Sequence, residues 1–191
     1  MKTRLLLLLL IIAFTHTAHG QINAKLMRQM DVSQTQIAFV YAGDIWLVPK
    51  DGGTAMQLTN SPGEVSWPRF SPDGSTLAFS ANYNGSNDVY LIPVSGGIPS
   101  RITYSSFGER VVDWHPGGEQ ILFASASEHG IGPSQFYLVD VEGGLPERLA
   151  IPYGELASYS PDGSRLAYIT RITEDYPFKR YRGGLSSDII I

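Results

Sequence analysis

The chain has 191 residues, no cysteine and a formal net charge of −4. The missing thiol excludes a disulfide scaffold, a thiol nucleophile and a thiolate metal site. The acidic balance excludes a protein built around phosphate contacts, so nucleic acid is not an expected partner.

The chain opens MKTRLLLLLLIIAFTHTAHGQ. Lys2 and Arg4 give a positive start, Leu5 to Phe14 is an unbroken apolar run, and Ala18-His19-Gly20 offers small residues where a signal peptidase reads. Residues 1–20 therefore read as a secretory signal cleaved before Gln21, which predicts an exported protein, periplasmic or secreted. The run is shorter than the roughly 20 apolar residues a membrane span takes, so no stable anchor is expected. These residues carry two bases and no acid, so the chain from Gln21 onward has a net charge of −6. His16 and His19 leave with the signal.

Beyond Gln21 the sequence repeats. RFSPDGSTLAFS returns as DWHPGGEQILFAS and as SYSPDGSRLAYIT, with the turn prolines Pro72, Pro116 and Pro161 spaced 44 and 45 residues apart. An eroded copy, LMRQMDVSQTQIAF, lies over SWPRFSPDGSTLAF at an offset of 40. Each turn leads into a short apolar strand (Ile37-Ala38-Phe39, Leu77-Ala78-Phe79, Ile121-Leu122-Phe123, Leu166-Ala167-Tyr168). A second strand follows: DIWLVP from Asp44, DVYLIP from Asp88, QFYLVD from Gln135 and a short DIII from Asp188. Then come Gly-Gly turns at Gly52, Gly96 and Gly143, third strands ending QLT, RIT and RLA, and fourth strands VSWPRF, RVVDW and ELASY.

Four short strands in each period of 40–45 residues are the signature of a propeller blade. Pro-Asp-Gly and Gly-Gly supply the backbone bends that such hairpins need. A β-sandwich is the structural rival, but a sandwich strand alternates apolar and polar faces. Ile45-Trp46-Leu47-Val48, Val89-Tyr90-Leu91-Ile92 and Phe136-Tyr137-Leu138-Val139 are apolar on both. The expected fold is all-β: propeller blades of four antiparallel strands over residues 21–191, about three and a half blades of a larger closed ring. An open part-ring leaves blade faces in water, so the chain is expected to be a fragment of a longer protein. Leu26 to Met30 reads as the fourth strand of a blade with nothing before it, expected to complete the last blade and latch the ring.

Chemistry is sparse. There is no Gly-x-Ser-x-Gly elbow, no His-Glu-x-x-His helix and no phosphate-binding Gly loop. His115 stands where the other turns have Ser and reads as a turn residue rather than a base; His129 reads as a loop residue. Asp44, Asp88 and Asp188 recur at the start of the second strand, which fits hairpin caps better than a metal-binding ring of carboxylates. Trp46, Trp67 and Trp114 read as core. No catalytic residue, no metal ligand and no cofactor are assigned. The basic, aromatic segment DYPFKRYRGGLSSDIII differs: Lys179, Arg180 and Arg182 are candidate contacts for an acidic partner or a peptide carboxylate. Arg110 is a further candidate at the propeller rim.

These residues carry a family resemblance. DIWLVPKDGGTAMQLTNSPGEVSWPRFSPDGSTLAF resembles the opening blade of the tricorn-type proteases, and RVVDWHPGG, ILFASASE and above all KRYRGGLSSDI resemble later segments of the same propeller. Within the last, Tyr181, Gly183, Gly184 and Asp188 match the family signature. The resemblance implies a six-bladed propeller followed by a seven-bladed one, a PDZ domain and a serine peptidase core that holds the catalytic serine and histidine. The partners implied are peptides or unfolded polypeptide, guided by the propellers to the buried site. The enzymes cut oligopeptides and can assemble into rings, so a homo-oligomer is among the implied states. None of the catalytic positions falls within this chain. Two departures stand out: HPGG replaces Pro-Asp-Gly in the third copy, and DIII lacks the aromatic of the other second strands. Two alternatives stay open. One is a non-catalytic periplasmic scaffold of the Tol-system kind that binds partner proteins. The other is the propeller cap of a prolyl-peptidase-like enzyme.

Overall fold

The computed structural model describes residues 26–60, 62–126, 133–170 and 189–191. The expected signal over 1–20 and Gln21 lie outside them, as do His129, Lys179, Arg180, Tyr181, Arg182, Gly183, Gly184 and Asp188. The described residues form an all-β propeller arrangement of four antiparallel sheets. The first sheet holds β1 (Arg28–Val32), β2 (Gln36–Tyr41), β3 (Asp44–Pro49) and β4 (Met56–Gln57). The second holds β5 (Val65–Phe70), β6 (Thr76–Ala81), β7 (Asp88–Pro93) and β8 (Ser100–Arg101). The third holds β9 (Glu109–Trp114), β10 (Gln120–Ser125), β11 (Gln135–Asp140) and β12 (Glu147–Arg148). The fourth holds β13 (Leu156–Tyr159), β14 (Leu166–Ile169) and β15 (Ile189–Ile190). Strands pair in chain order within each sheet.

That order corrects one expectation. The strand before each Pro-Asp-Gly turn opens its own sheet instead of closing the preceding one. β1 pairs with β2, with Val32 opposite Ile37, and β5 pairs with β6, with Phe70 opposite Leu77. A tight turn joins neighbouring antiparallel strands, so both arms of each repeat belong to one blade. Leu26–Met30 is therefore no closing strand of an earlier blade. Arg28–Met30 belong to the first strand of the first sheet.

The turns hold because their side chains do backbone work. Ser71 N donates to Thr76 O at 2.8 Å and Gly74 N to Ser71 O at 2.8 Å. The Asp73 carboxylate accepts the Ser71 hydroxyl and the Ser75 N–H at 3.0 Å. Those bonds, the Ser71 hydroxyl first, pull the Asp73 carboxyl down to about 2. Ser160, Asp162 and Ser164 repeat the arrangement, with Asp162 also held at about 2. In the HPGG turn His115 takes the serine's place, its Nδ1 accepting from Gly117 N at 3.2 Å. Gly74 has φ 72° and Gly163 φ 71°, a left-handed conformation that costs other residues about 1–2 kcal/mol.

In the two middle sheets the second strands, and the third strand of the second sheet, are covered on both faces. In β6 and β10 only the first residue is less than fully buried, and in β7 only the last is exposed. Phe79, Phe123 and Phe136 are among the largest fully buried side chains. Phe79 stacks on Tyr90 across the strand pair at 5.9 Å and Phe123 on Tyr137 at 5.5 Å. In the fourth sheet Tyr168 faces Ile190 in the same register, without a second ring. β3 in the first sheet alternates buried and half-buried residues, and β14 in the fourth is half-buried throughout.

The first strands of successive sheets pack together: β5 lies against both β1 and β9, and β9 against β13. Each has one edge with no strand beside it in its own sheet. Side chains from the neighbouring sheet satisfy that edge. Phe70 N donates to Asp31 Oδ2 at 2.7 Å and Tyr159 N to Asp113 Oδ2 at 3.1 Å. Between them Arg69 Nε donates to Val112 O at 2.9 Å, and Trp114 Nε1 to Arg69 O at 2.9 Å. β1 and β5 are bulged, between Arg28 and Asp31 and between Ser66 and Arg69. Gln29 and Trp67 take left-handed φ values of 50° and 55° there. The Trp67 N–H so displaced donates to Gln29 Oε1 at 3.0 Å.

Asp31→Ala leaves the Phe70 N–H without its acceptor. Urea unfolding is expected to show a loss of about 1–3 kcal/mol. Asp51→Ala, in an exposed turn, should stay within about 0.5 kcal/mol of the parent; equal effects of the two would refute the edge-capping role.

Candidate functional site

In a meander of antiparallel strands, the loop from second to third strand and the connection from fourth strand to the next sheet emerge at the same end. Residues 82–87 and 102–108 meet there in the second sheet. The repeat dictates part of what they build. In the first sheet Asp44 caps the hairpin: Thr59 Oγ1 donates to Asp44 Oδ1 and Gln57 Nε2 to Asp44 Oδ2, both at 2.9 Å. The Thr59 hydroxyl in turn accepts the Ile45 N–H at 2.9 Å. Asp88 and Thr103 occupy the same positions in the second sheet, with Val89 N donating to Thr103 Oγ1 at 2.8 Å.

The second sheet then departs from the first. Arg101 stands where Gln57 stands and pairs with Asp88 Oδ2 at 2.8 Å; the Asp88 side chain is 0% exposed. Asp88 Oδ1 accepts the Ser105 N–H at 3.1 Å. Arg101 Nε donates to Thr103 O at 2.8 Å, and its guanidinium lies 4.5 Å from the Tyr104 ring centroid. The Thr103 hydroxyl donates to Glu109, which is 4% exposed. Burial pushes the Glu109 carboxyl up to about 7; the Asp88 charge adds to the rise, and the Thr103 hydroxyl, the Val89 N–H and Arg101 oppose it. A cleft of about 480 Å³ opens over this cluster, walled by Asn84, Ser86, Arg101, Tyr104 and Ser106.

Arg110, the one candidate binding residue within the described residues, lies in β9 rather than on an outer edge. Its Nη2 donates to Glu155 of the next sheet, to both the backbone carbonyl and the carboxylate. Its guanidinium lies 5.3 Å from the Trp67 ring of the preceding sheet. Arg110 thus ties three sheets together near their packed first strands. Asp113 on the same strand is half-buried, and that desolvation raises its carboxyl, against the Tyr159 and Trp114 N–H bonds that lower it. His115 sits edge-on to Tyr159 at 5.2 Å. Among the described residues no group of three or more His, Asp or Glu is arranged to hold a metal ion, and no helix is long and apolar enough to cross a membrane.

The Asp88–Arg101–Glu109 cluster is not among the sites expected from the sequence. A signal was present: Gly-Glu recurs as Gly63-Glu64, Gly108-Glu109 and Gly154-Glu155 where the chain enters the first strand. Gly154 has a packing reason, since a Cβ there would come within 2.1 Å of the Phe136 ring. The glutamates have different fates: Glu64 is exposed, Glu109 buried, and Glu155 paired with Arg110.

Residues 24–191 match the family model described as the tricorn protease N-terminal β-propeller domain. Tricorn protease homolog 1 of Streptomyces coelicolor is 27% identical over 157 residues, covering 81% of this chain but 14% of that protein. The chain thus spans about a seventh of that relative's length. A putative tricorn-like protease N-terminal subunit of Sulfurisphaera tokodaii is 26% identical over 167 residues, covering 84% of this chain and 83% of that one. The crystal structure of the tricorn protease superposes with a TM-score of 0.68 at 25% identity, covering 86% of this chain and 17% of that chain. A putative TolB of Agrobacterium tumefaciens shares the fold, with a TM-score of 0.65 at 23% identity over 81% of this chain and 56% of that one.

Glu109 has a folded-state value of about 7 against an ordinary 4.5. Between those limits the folded protein keeps a proton that the unfolded chain has lost, so this group's contribution falls as pH rises through the window. At pH 8 the loss amounts to about 3 kcal/mol. Glu109→Gln should therefore raise the melting temperature at pH 8 by several degrees and leave it nearly unchanged at pH 4.5. Equal effects at both pH values would rule out a buried, raised carboxyl.

Proposed function

The chain belongs to the tricorn protease N-terminal β-propeller family, and on that premise we propose that it is the propeller part of an exported serine peptidase, guiding oligopeptides to a catalytic core outside these residues. The observation that carries the reading is the family match over 24–191. The described residues supply scaffold and polar clusters; the nucleophile belongs elsewhere. The Sulfurisphaera relative, similar in length and named a subunit, supports a propeller that works beside its catalytic part. Export rests on the signal over residues 1–20 with cleavage before Gln21.

In this reading the basic segment is the peptide contact. Lys179, Arg180 and Arg182 offer donors to a peptide carboxylate, and Tyr181, Gly183, Gly184 and Asp188 are the family-signature positions of the same stretch of sequence. Arg110 is held by Glu155 and Trp67, and serves the peptide by fixing the sheets at the axis. The second reading is a Tol-type scaffold that binds partner proteins, favoured by the likeness in fold to TolB.

Two measurements separate them. The protein as its gene encodes it, with any catalytic partner chain, should hydrolyse short peptides, whereas a scaffold should not. Arg180→Ala and Arg182→Ala should then raise KM about tenfold for peptides with a free C-terminal carboxylate and leave amidated peptides nearly unchanged. Absence of any hydrolysis, or equal effects on both peptide classes, would count against the reading. N-terminal sequencing of the exported form should begin at Gln21.

A further inference from the structure

The first and second sheets solve the same folding problem with different residues. The first closes its second hairpin with the two-residue turn Ala42-Gly43 and caps Asp44 with neutral Gln57. The second inserts residues 82–87, replaces the glutamine by Arg101 and sets Tyr104 where Asn60 stands. The fold forms without these changes in the first sheet, and the third carries Arg148 at the same register with Gln135 where the aspartate stands, so the pairing of Asp88 with Arg101 is not something the fold itself requires.

What they build is a rigid donor. Arg101 is fixed by the buried Asp88, by the Thr103 carbonyl and by the Tyr104 ring. The Asn84 side-chain oxygen accepts from Arg101 Nη1 at 3.3 Å once its amide is turned to suit its neighbours. Each Nη still carries a second N–H, held in place before any ligand arrives, so little entropy remains to be lost on binding. The depression above it, about 480 Å³, is open to solvent and mostly polar, a shape that lets an extended chain lie across it rather than enclosing a compact ligand. Gly85 takes φ 100° in its wall, and a Cβ there would meet nothing within 4 Å, so another backbone has room to approach.

Charge selects the ligand. Asp88 already balances Arg101, and Glu109 lies behind them. The cleft therefore offers hydrogen-bond donors without net positive charge, which disfavours a free carboxylate and suits a neutral acceptor. Ser86 and Ser106 add hydroxyls that both donate and accept.

We propose that the cleft over Arg101 binds the backbone of an extended peptide, with a peptide carbonyl accepting from the Arg101 guanidinium. The site is separate from the basic segment, which would take the charged end of a chain. The inference rests on the reading that this propeller handles peptides, and it adds a holding point along the chain rather than at its terminus.

The test is a saturation-transfer NMR titration of the protein as its gene encodes it, with tetra-alanine blocked by acetyl and amide groups as probe, at millimolar concentration. The blocked peptide should bind, and Arg101→Gln should weaken it about tenfold, the loss of one charged hydrogen bond. Tyr104, 77% exposed, can be changed without opening the core; Tyr104→Ala frees the guanidinium and should weaken the peptide severalfold with the melting temperature unchanged. Unaltered affinity in Tyr104→Ala, no binding of the blocked peptide, or binding of free tetra-alanine alone would overturn the assignment. Hydrolysis and cleft binding fail independently. A protein that binds blocked peptide but cleaves nothing loses the peptidase reading and keeps the cleft. One that cleaves peptides with no dependence on Tyr104 or Arg101 loses the cleft.

Discussion

A sheet that is apolar on both faces cannot rest in water on either side, and the rest of this structure depends on that. β6, β7 and β10 of the second and third sheets meet the condition, buried along nearly their whole length, whereas β11 is half-buried at three positions and exposed at its last. Burying a single Phe on this scale stabilises by roughly 1.5–3 kcal/mol, and Phe79, Phe123 and Phe136 are each fully enclosed. Sheets stacked face to face around an axis must bring their first strands close together. That crowding leaves backbone edges with no strand partner, so side chains from the next sheet supply the hydrogen bonds. It also leaves little room for polar chemistry inside. Polar groups gather toward the ends of the sheets, where Asp88, Arg101 and Glu109 sit at the termini of β7, β8 and β9.

Much of this was legible in the residues. Two-sided apolar strands and turn prolines at 44 and 45 residues announced stacked four-stranded units, and hairpin capping by Asp44 and Asp88 followed from their recurrence. The sheet boundary was not legible. Spacing reveals that the strands flanking a Pro-Asp-Gly turn are neighbours, but both a blade's interior and its join give the same spacing. Only the pairing of Val32 with Ile37 and of Phe70 with Leu77 decides it. Arg110 shows a second limit. Its charge could be read from the sequence, but its partner Glu155 lies 45 residues away, and nothing local to either announces the pair. Glu109 shows a third, since the same Gly-Glu dipeptide gives one exposed, one buried and one paired carboxylate. Neighbouring side chains set each fate: Thr103 and Arg101 for Glu109, Arg110 for Glu155.

Repetition within one chain also separates what the fold needs from what it does not. Thr59 and Thr103 accept the same backbone N–H in successive sheets, and that bond belongs to the architecture. Gln57 and Arg101 share a position and differ in charge, so a charged residue there is dispensable to folding. The second sheet differs electrostatically as well: Glu109 is buried there, and that burial raises its carboxyl to about 7. The loop above it therefore rests on a cluster whose net charge changes near neutrality, whereas in the first sheet the single Asp44 carboxylate is met by an amide and a hydroxyl.

The contacts along the axis are directional and not uniform. Asp31 accepts from the second sheet and Asp113 from the fourth, but between the second and third the roles change hands, with Arg69 donating and Trp114 donating back. The group met is in each case a backbone N–H or C=O, which every blade presents. The polar contacts at the axis therefore ask a neighbour only for backbone in the right place, and the side chain that reaches for it differs from seam to seam. Duplicated blades can diverge at these positions one seam at a time and still keep a polar contact between them.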